Sequence, residues 1–516
     1  MKQDLINPDL FGNEAGDDED LDVLNSYFVA KPEFDRFFSS DHRLAFVRSR
    51  KGVGKSALLK QTQFRRQKSA KDELLIYTKA SDLIAMQESS SASPAAQVYG
   101  WQQRICSRIN LELGATLKIA FNDDKITLVE GAEVNGFKDR NLVSALFDRL
   151  KVKGMGAEIE RTRQTSTNPQ ALLKRVLSGA DTHVWLFVDD VDATFLNTEH
   201  ERLVASTFFS ACRNITTLTK GLSIRASVRS DVWPVLAQYD ESLDKCEQYM
   251  IDLTWSTEET GRIITNKIHS YFQRNYGDDP RFSTLTPIRN AKEIRRLIFR
   301  EPFPWGTRHI ESFRPIHILS AGRPRWATQL CKLAGRDAHD KNAHVISMGH
   351  IRSKLRDYGQ FRISDLYKEH RHQCGRIEEI VETFSGGPSR YTTDALLTHI
   401  TNRIIRYHGI PQIDGVVAEK GGVSVAHFLY RIGFINARDE NDAKGLGFIR
   451  FEDRPNLLST NANLDDGLQW EIHPSYHEVL RIKRHADDWD STTQDRQRKT
   501  TRTRVQRRHT PRSSKS

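Results

Sequence analysis

The chain has 516 residues and carries 77 Lys/Arg against 67 Asp/Glu, a net charge of +10. That length predicts several domains, and no apolar run reaches the ~18 residues of a membrane-spanning helix. The acidic opening MKQDLINPDLFGNEAGDDED lacks the apolar stretch of a secretory signal, and five scattered cysteines without a C-x-x-C pair argue against a disulfide framework or a zinc site. The expected setting is a reducing cytoplasm, with no membrane partner.

In chain order, residues 1–26 read as an acidic, weakly ordered segment, followed by the aromatic anchors of SYFVAKPEFDRFF. RLAFVR (43–48) predicts a short buried strand, SALLKQTQFRR a helix, and ELLIYTKA (73–80) a second strand. The Ser-rich stretch at 88–94 marks a loop, and QVYGWQQRICSRINLEL (97–113) has helical periodicity. THVWLFVDDVD (182–192) is an apolar strand ending in acids, HERLVASTFFSACRNIT (200–216) a helix, and LSIRASVRSDVW (222–233) a further strand. Continuous apolar strands alternating with helices predict an α/β domain with a buried parallel sheet over 27–255. From 256 to 370 the pattern is helical, a lid or second domain. Helices followed by the short strands GLGFIRF and LQWEIHP predict a winged-helix-like unit over 371–484.

The final stretch, 485–516, is a basic tail expected to be disordered. Nine Lys/Arg and no acid lie from Arg496 onward; without them 68 basic residues face 67 acidic ones. The excess charge therefore belongs to the tail, either an arm for nucleic acid or another acidic partner, or a solvated extension.

The stretch VRSRKGVGKSALLK (47–60) has the makings of a phosphate loop. Such a loop needs glycines so that successive N–H groups can curl around anionic oxygens, a lysine for the β/γ phosphates, a Ser/Thr hydroxyl for Mg²⁺, and a helix start behind it. Gly52 and Gly54 supply the backbone, Lys55 the cation and Ser56 the hydroxyl; Arg50, Lys51, Val53 and Ala57 complete the cradle. Ser49 stands where the usual spelling has its first glycine, a modest cost if its φ is negative. Arg48, Arg50 and Lys51 add positive charge near the mouth. The bland alternative is a Gly-Lys-Ser turn that merely starts a helix.

About 130 residues downstream, VWLFVDDVD places carboxylates at the carboxyl end of a strand, where ligands bind in sheets of this class. Asp189 would hold Mg²⁺ opposite Ser56, and Asp190 would polarise an attacking water. Asp192 either caps the next segment or joins the site. Of Arg225, Ser227, Arg229 and Asp231 on the next strand, Arg229 is the catalytic candidate. It would sense phosphate in its own chain, reach a neighbouring subunit as a finger, or simply pair with Asp231. In SAGRPRW (320–326), Gly322 and Pro324 shape a turn from which Arg323 or Arg325 could reach the nucleotide; the plain alternative is a helix–helix turn.

Taken together, SRKGVGKSALL, FVDDVD, VRSDVW, IDLTWSTEE, GRPR and LYRIGFI…WEIHP resemble a family of bacterial stand-alone P-loop ATPases, similar to the STAND and AAA-like NTPases, over most of 11–483. The resemblance implies an ATP-binding core with Mg²⁺, a helical lid and a winged-helix-like end, and often a role in phage defence. By that likeness Gly52, Gly54, Lys55 and Ser56 bind phosphate and Mg²⁺, Asp189 and Asp190 form the acidic pair, and Gly322 and Pro324 match the lid turn. Asp190 stands where many members have a catalytic glutamate, so slow hydrolysis is expected. The functions in contention are a cytoplasmic ATPase acting as a switch or assembly motor, with a homo-oligomer and a separate effector protein as candidate partners; a DNA-binding AAA-like ATPase of the origin-recognition or transposition-helper type, gripping nucleic acid through the winged-helix unit or the tail; and a nucleotide-dependent scaffold that does not hydrolyse.

Overall fold

The computed structural model describes residues 2–16, 18–69, 73–85, 93–116, 123–137, 168–178, 182–192, 195, 198–305, 308–439, 448–459, 465 and 467–483. The basic tail 485–516 lies wholly outside the described residues, and the Ser-rich loop at 88–94 almost wholly so. The chain divides into two units: Gly16–Thr254, and the first fifteen residues together with those from Trp255 onward.

The first unit is built on five parallel strands: β1 (Leu44–Ser49), β2 (Leu74–Lys79), β3 (Val184–Asp189), β4 (Leu222–Arg229) and β5 (Met250–Asp252). They lie in the order β2-β3-β4-β1-β5, and every ladder is parallel. All six residues of β3 are buried, the signature of a strand covered on both faces. Helices Pro94–Thr116 and Glu199–Leu218 lie in the same apolar cluster as the sheet, through Trp101, Ile105, Phe208, Phe209 and Ile215 against Phe46, Leu186 and Ile224. Truncating a residue such as Leu186 here costs about 2–5 kcal/mol. The loop after β1 runs straight into the helix Lys55–Ser69. This is the α/β P-loop ATPase fold: a parallel sheet with flanking helices and a glycine loop between the first strand and its helix.

The acidic N-terminal stretch is split. Residues 16–27 belong to the first unit, where helix Leu21–Tyr27 is tied to the post-loop helix by Gln61 Nε2 donating to Asn25 Oδ1 (2.7 Å) and by a Lys68–Asp22 ion pair. The preceding residues are not a weakly ordered lead-in, because Leu5, Leu10 and Phe11 are buried in the second unit's helical core. There Asp4 accepts from the hydroxyls of Tyr271 and Tyr276, and Lys267 Nζ donates to the Phe11 carbonyl (2.8 Å).

The second unit holds two cores, a helical one reaching from Ile264 to Tyr358 and another from Leu366 to Ile482. The latter is winged-helix-like. Its helices are Ile377–Glu382, Thr393–His399 (continued through Ile400–Ile405 to His408) and Val423–Arg431. Its sheet places Gln469–Ile472 between Arg390–Tyr391 and Ile435–Arg438, with Phe448–Ile449 on the outer edge. A hairpin, Gln412–Ile413 against Val416–Val417, turns on Asp414 (φ 52°) and Gly415 (φ 82°), the paired positive φ values of a type I′ turn.

Candidate nucleotide site

The loop residues stand at the carboxyl end of β1, which lies between β4 and β5. Gly52 has φ 79° and Gly54 φ 119°, both in the region that disfavours any side chain. An added Cβ at Gly54 would meet nothing within 4 Å, so conformation, not crowding, requires glycine there. Ser49 needs no such freedom. It is the last residue of β1, 3 % exposed, paired in register with Arg229 of β4. The departure from the usual spelling thus falls on a strand position, and the two positions that need positive φ keep their glycines.

Lys55 opens the helix and folds back over the loop, its Nζ donating to the Ser49 carbonyl (3.2 Å). Burial pushes its ammonium pKa down, opposed by the charges of Asp192, Asp189 and Asp231, in that order. Those carboxylates come from the ends of β3 and β4, so Lys55 and Asp189 share one pocket. Ser56 follows on the first helical turn; within the loop Val53 is buried, Arg50 half-buried and Lys51 exposed. Ala57 is covered by the N-terminal segment, since a Cβ on Gly16 would come within 2.8 Å of the Ala57 Cβ.

Asp189 is held from two strands. Its Oδ2 accepts from the Tyr77 hydroxyl of β2 (2.8 Å), and its Oδ1 accepts from the Ser227 hydroxyl of β4 and from the Asp190 N–H (3.0 Å). Asp190 itself has left the strand with φ 56°, an uncommon conformation for a residue with a side chain. Its carboxylate is exposed, 3.9 Å from the Lys79 ammonium. Asp192 joins the site, the less obvious of its two readings. It is 4 % exposed, its Oδ2 accepts from the Arg229 N–H (3.0 Å), and it lies 3.7 Å from Arg229 Nε. Burial pushes its pKa up to about 6, against the pull of Arg229 and Lys55.

Several cations read from the sequence prove to be committed elsewhere. Arg229 pairs with Asp231, Nε donating to Oδ1 (3.1 Å) and the second guanidinium nitrogen to Oδ2. Of its three readings, the pairing with Asp231 is the one these contacts display. Arg48 adds nothing to the mouth, because the β1–β5 register sets it against Asp252 (2.6 Å) and it also reaches Glu247 (2.9 Å). Arg225 is fully buried, donating to the carbonyls of Phe37, Ser39 and His42 and lying over Trp185.

In the second unit Pro324 occupies the first turn of helix Pro324–Asp340. It lines a void of about 10 Å³ with Phe11, Ile263 and Ala327, too small for a ligand. Arg323 does not extend as a free arm: it is 3 % exposed, paired with the buried Glu369 (2.8 Å) and stacked on Trp326. Arg325 Nε donates to the Glu14 carbonyl (3.3 Å). The plain helix–helix turn describes both.

Tyr77 and Lys79 escaped the sequence reading. The available signal was period two along β2, which puts both at the same carboxyl edge, Lys79 in register with Asp189. Chemically, the donor set suits a Mg²⁺-bound polyphosphate: a curled glycine backbone at a helix start, one ammonium, a hydroxyl at Ser56, and a carboxylate fixed by Tyr77 and Ser227. Among the described residues no cluster of His, Cys, Asp and Glu forms a metal site of its own, and no helix is long and apolar enough to cross a membrane.

No family model matches the chain, and no curated protein matches it. Among solved structures, the chain is similar to the Aeropyrum pernix ORC2 protein in its ADPNP–ADP complexes, at 11 % identity over 93 % of each chain with a TM-score of 0.38. It is also similar to the Aeropyrum pernix ORC1 protein in complex with DNA, at 12 % identity over 87 % of this chain and 88 % of that one, TM-score 0.32. Drosophila ORC bound to DNA aligns at 12 % identity over 89 % and 91 %, TM-score 0.31. All three are remote likenesses in sequence and in shape.

Proposed function

We propose that the chain is a Mg²⁺-dependent ATPase of the P-loop class, whose nucleotide state works as a switch or drives assembly. The observation that carries this reading is the convergence at one sheet edge of the Gly52–Gly54 loop, Lys55, Asp189 and Arg229. In it Gly52–Ala57 wrap the phosphates, Lys55 neutralises the β/γ charge, and Ser56 and Asp189 hold the metal, which would supply charge neutralisation at the phosphates. Asp190, exposed beside Lys79, is the candidate for orienting water, and Arg229 for sensing the terminal phosphate. Hydrolysis is expected to be slow, because Asp190 is one methylene shorter than a glutamate.

Lys55→Ala is expected to weaken ATP binding by at least about tenfold, from the ~1.5–3 kcal/mol of a hydrogen bond to charge. Titration calorimetry of the full chain with Mg-ATP measures it, and unchanged affinity would remove the assignment. Asp190→Asn should keep binding and lower phosphate release; normal turnover would mean another base. Binding at stoichiometry with no release at all in the unaltered chain would favour a scaffold. Placement in bacterial antiviral defence rests on the sequence resemblance alone; a cytoplasmic location rests on the scattered cysteines and the acidic N-terminal stretch, and homo-oligomerisation and a separate effector belong to the same proposal. Mass measurement with and without an ATP analogue tests the oligomer.

DNA binding is the second reading, favoured by the winged-helix-like unit. The helix that would read a groove in such units, Val423–Arg431, argues against the usual mode. Val423, Val425, Ala426, Phe428, Leu429 and Tyr430 are buried, and Arg431 is paired with Asp414 (2.5 Å). Salt-dependent DNA binding that vanishes on removal of 496–516 would assign it to the tail. Binding that survives would assign it to a surface of the folded chain.

A further inference from the structure

Deep in the proposed phosphate pocket, Lys55 and Arg229 face Asp189, Asp192 and Asp231. In this inner set a site meant to hold an anion carries three acids, and each needs a role. Asp189 is occupied by Tyr77 and Ser227, in the position suited to a metal. Asp192 and Asp231 remain, and both are turned on Arg229. Asp231 grips the guanidinium at two nitrogens. Asp192 takes the Arg229 backbone N–H at 3.0 Å and lies 3.7 Å from its Nε. Their side chains are only 3 % and 9 % exposed, so water does little to screen the attraction.

We propose that Asp192 and Asp231 are positioning residues that clamp Arg229, and that the clamp limits how strongly the pocket prefers nucleoside triphosphate over diphosphate. This rests on the nucleotide reading above and extends it. A diphosphate seated at Lys55 leaves the clamp closed. A terminal phosphate must draw the guanidinium away from two carboxylates, so part of its attraction is spent opening them. Arg229 lies on β4 in register with Ser49, the residue whose carbonyl receives Lys55, which puts both cations on the same stretch of the sheet edge. Asp192 thereby sets how strongly the site prefers the third phosphate.

The test is a double-mutant cycle on the full chain, reading the ratio of affinities for Mg-ADP and for a non-hydrolysable Mg-triphosphate. Asp192→Asn keeps an oxygen for the Arg229 N–H but removes the charge. It should raise the preference for triphosphate about three- to tenfold, within the range of coupled neighbours. In an Arg229→Gln background the same change should leave the ratio unmoved. Asp231→Asn should act in the same direction, and serves if the first variant does not fold. A gain that persists without Arg229, or equal tightening of both nucleotides, would overturn the clamp while leaving nucleotide binding intact. If the unaltered chain binds neither nucleotide, the pocket assignment falls and the clamp with it.

Discussion

The carboxyl edge of the α/β sheet and the winged-helix sheet hold buried charge in different settings. In the second, cations and acids are buried against one another. Glu471, 1 % exposed, is held by Arg390 (3.1 Å) and Arg438 (3.4 Å), and elsewhere in the same unit Arg323 and Glu369 are buried together. At the α/β edge the charges meet beside a glycine loop at a helix start: Lys55 rests on a carbonyl, and Arg229 is divided between two acids. A buried pair contributes stability or specificity. A cluster beside a curled loop can answer to an added anion or cation. The contrast separates a site from a scaffold more sharply than charge content does, since both regions are rich in charge.

The largest effect that could break this contrast is at the buried pair. Glu369→Ala removes the buried carboxylate that faces the Arg323 guanidinium and should destabilise the chain by about 3–5 kcal/mol, read as a lowered urea midpoint. A change under about 1 kcal/mol would mean that Arg323 finds other partners and that the pair is not what holds it.

Next in size is a pH dependence. His317 is pushed down to about 3 by burial and secondarily by Arg450, and His473 to about 3 by burial and then by His477. The unfolded chain, with histidines near their ordinary ~6.5, binds more protons between these values. Stability is therefore full above about pH 6.5 and falls as pH drops toward 3, by about 1.4 kcal/mol per pH unit for each group well inside that window. Urea unfolding followed from pH 7.5 to 5 should show the slope, and His473→Gln should flatten it. An unchanged slope would remove His473 from the account.

How much of this was legible in the sequence follows from element length and from what each charge faces. Four core strands, Leu44–Ser49, Leu74–Lys79, Val184–Asp189 and Leu222–Arg229, are six to eight residues long and rich in apolar residues, and could be read directly. The fifth, Met250–Asp252, is three residues long, too short for any periodicity. The winged-helix sheet is assembled from strands of two to four residues, of which only Phe448–Ile449 and Gln469–Ile472 fell within the stretches read as strand. The glycine loop and the acid that ends β3 could be placed from sequence because a glycine turn before a helix and an acid closing an apolar strand are local patterns. The roles of Arg48, Arg225 and Arg323 could not, since a guanidinium near a motif reads alike whether it faces a ligand or a buried carboxylate. Register decided those, as when β5 brings Asp252 opposite Arg48. Asp192 lay between the two cases: its position was visible, but its partner came from a strand 37 residues away.

The smallest expected effect concerns the loop's irregular spelling. If Ser49 were a degenerate loop residue, Ser49→Gly would restore the standard pattern and tighten ATP binding. The structure argues otherwise. Ser49 is the buried last residue of β1, paired in register with Arg229, its carbonyl receiving the Ser230 N–H (3.1 Å) and Lys55 Nζ (3.2 Å). Glycine there adds backbone freedom to the unfolded chain without relieving strain in the folded one, so it should cost about 0.5–1 kcal/mol of stability and leave the ATP affinity within about twofold. Tighter binding with unchanged stability would show that the strand ends before residue 49 when nucleotide is present, and that the loop is longer than β1 now allows.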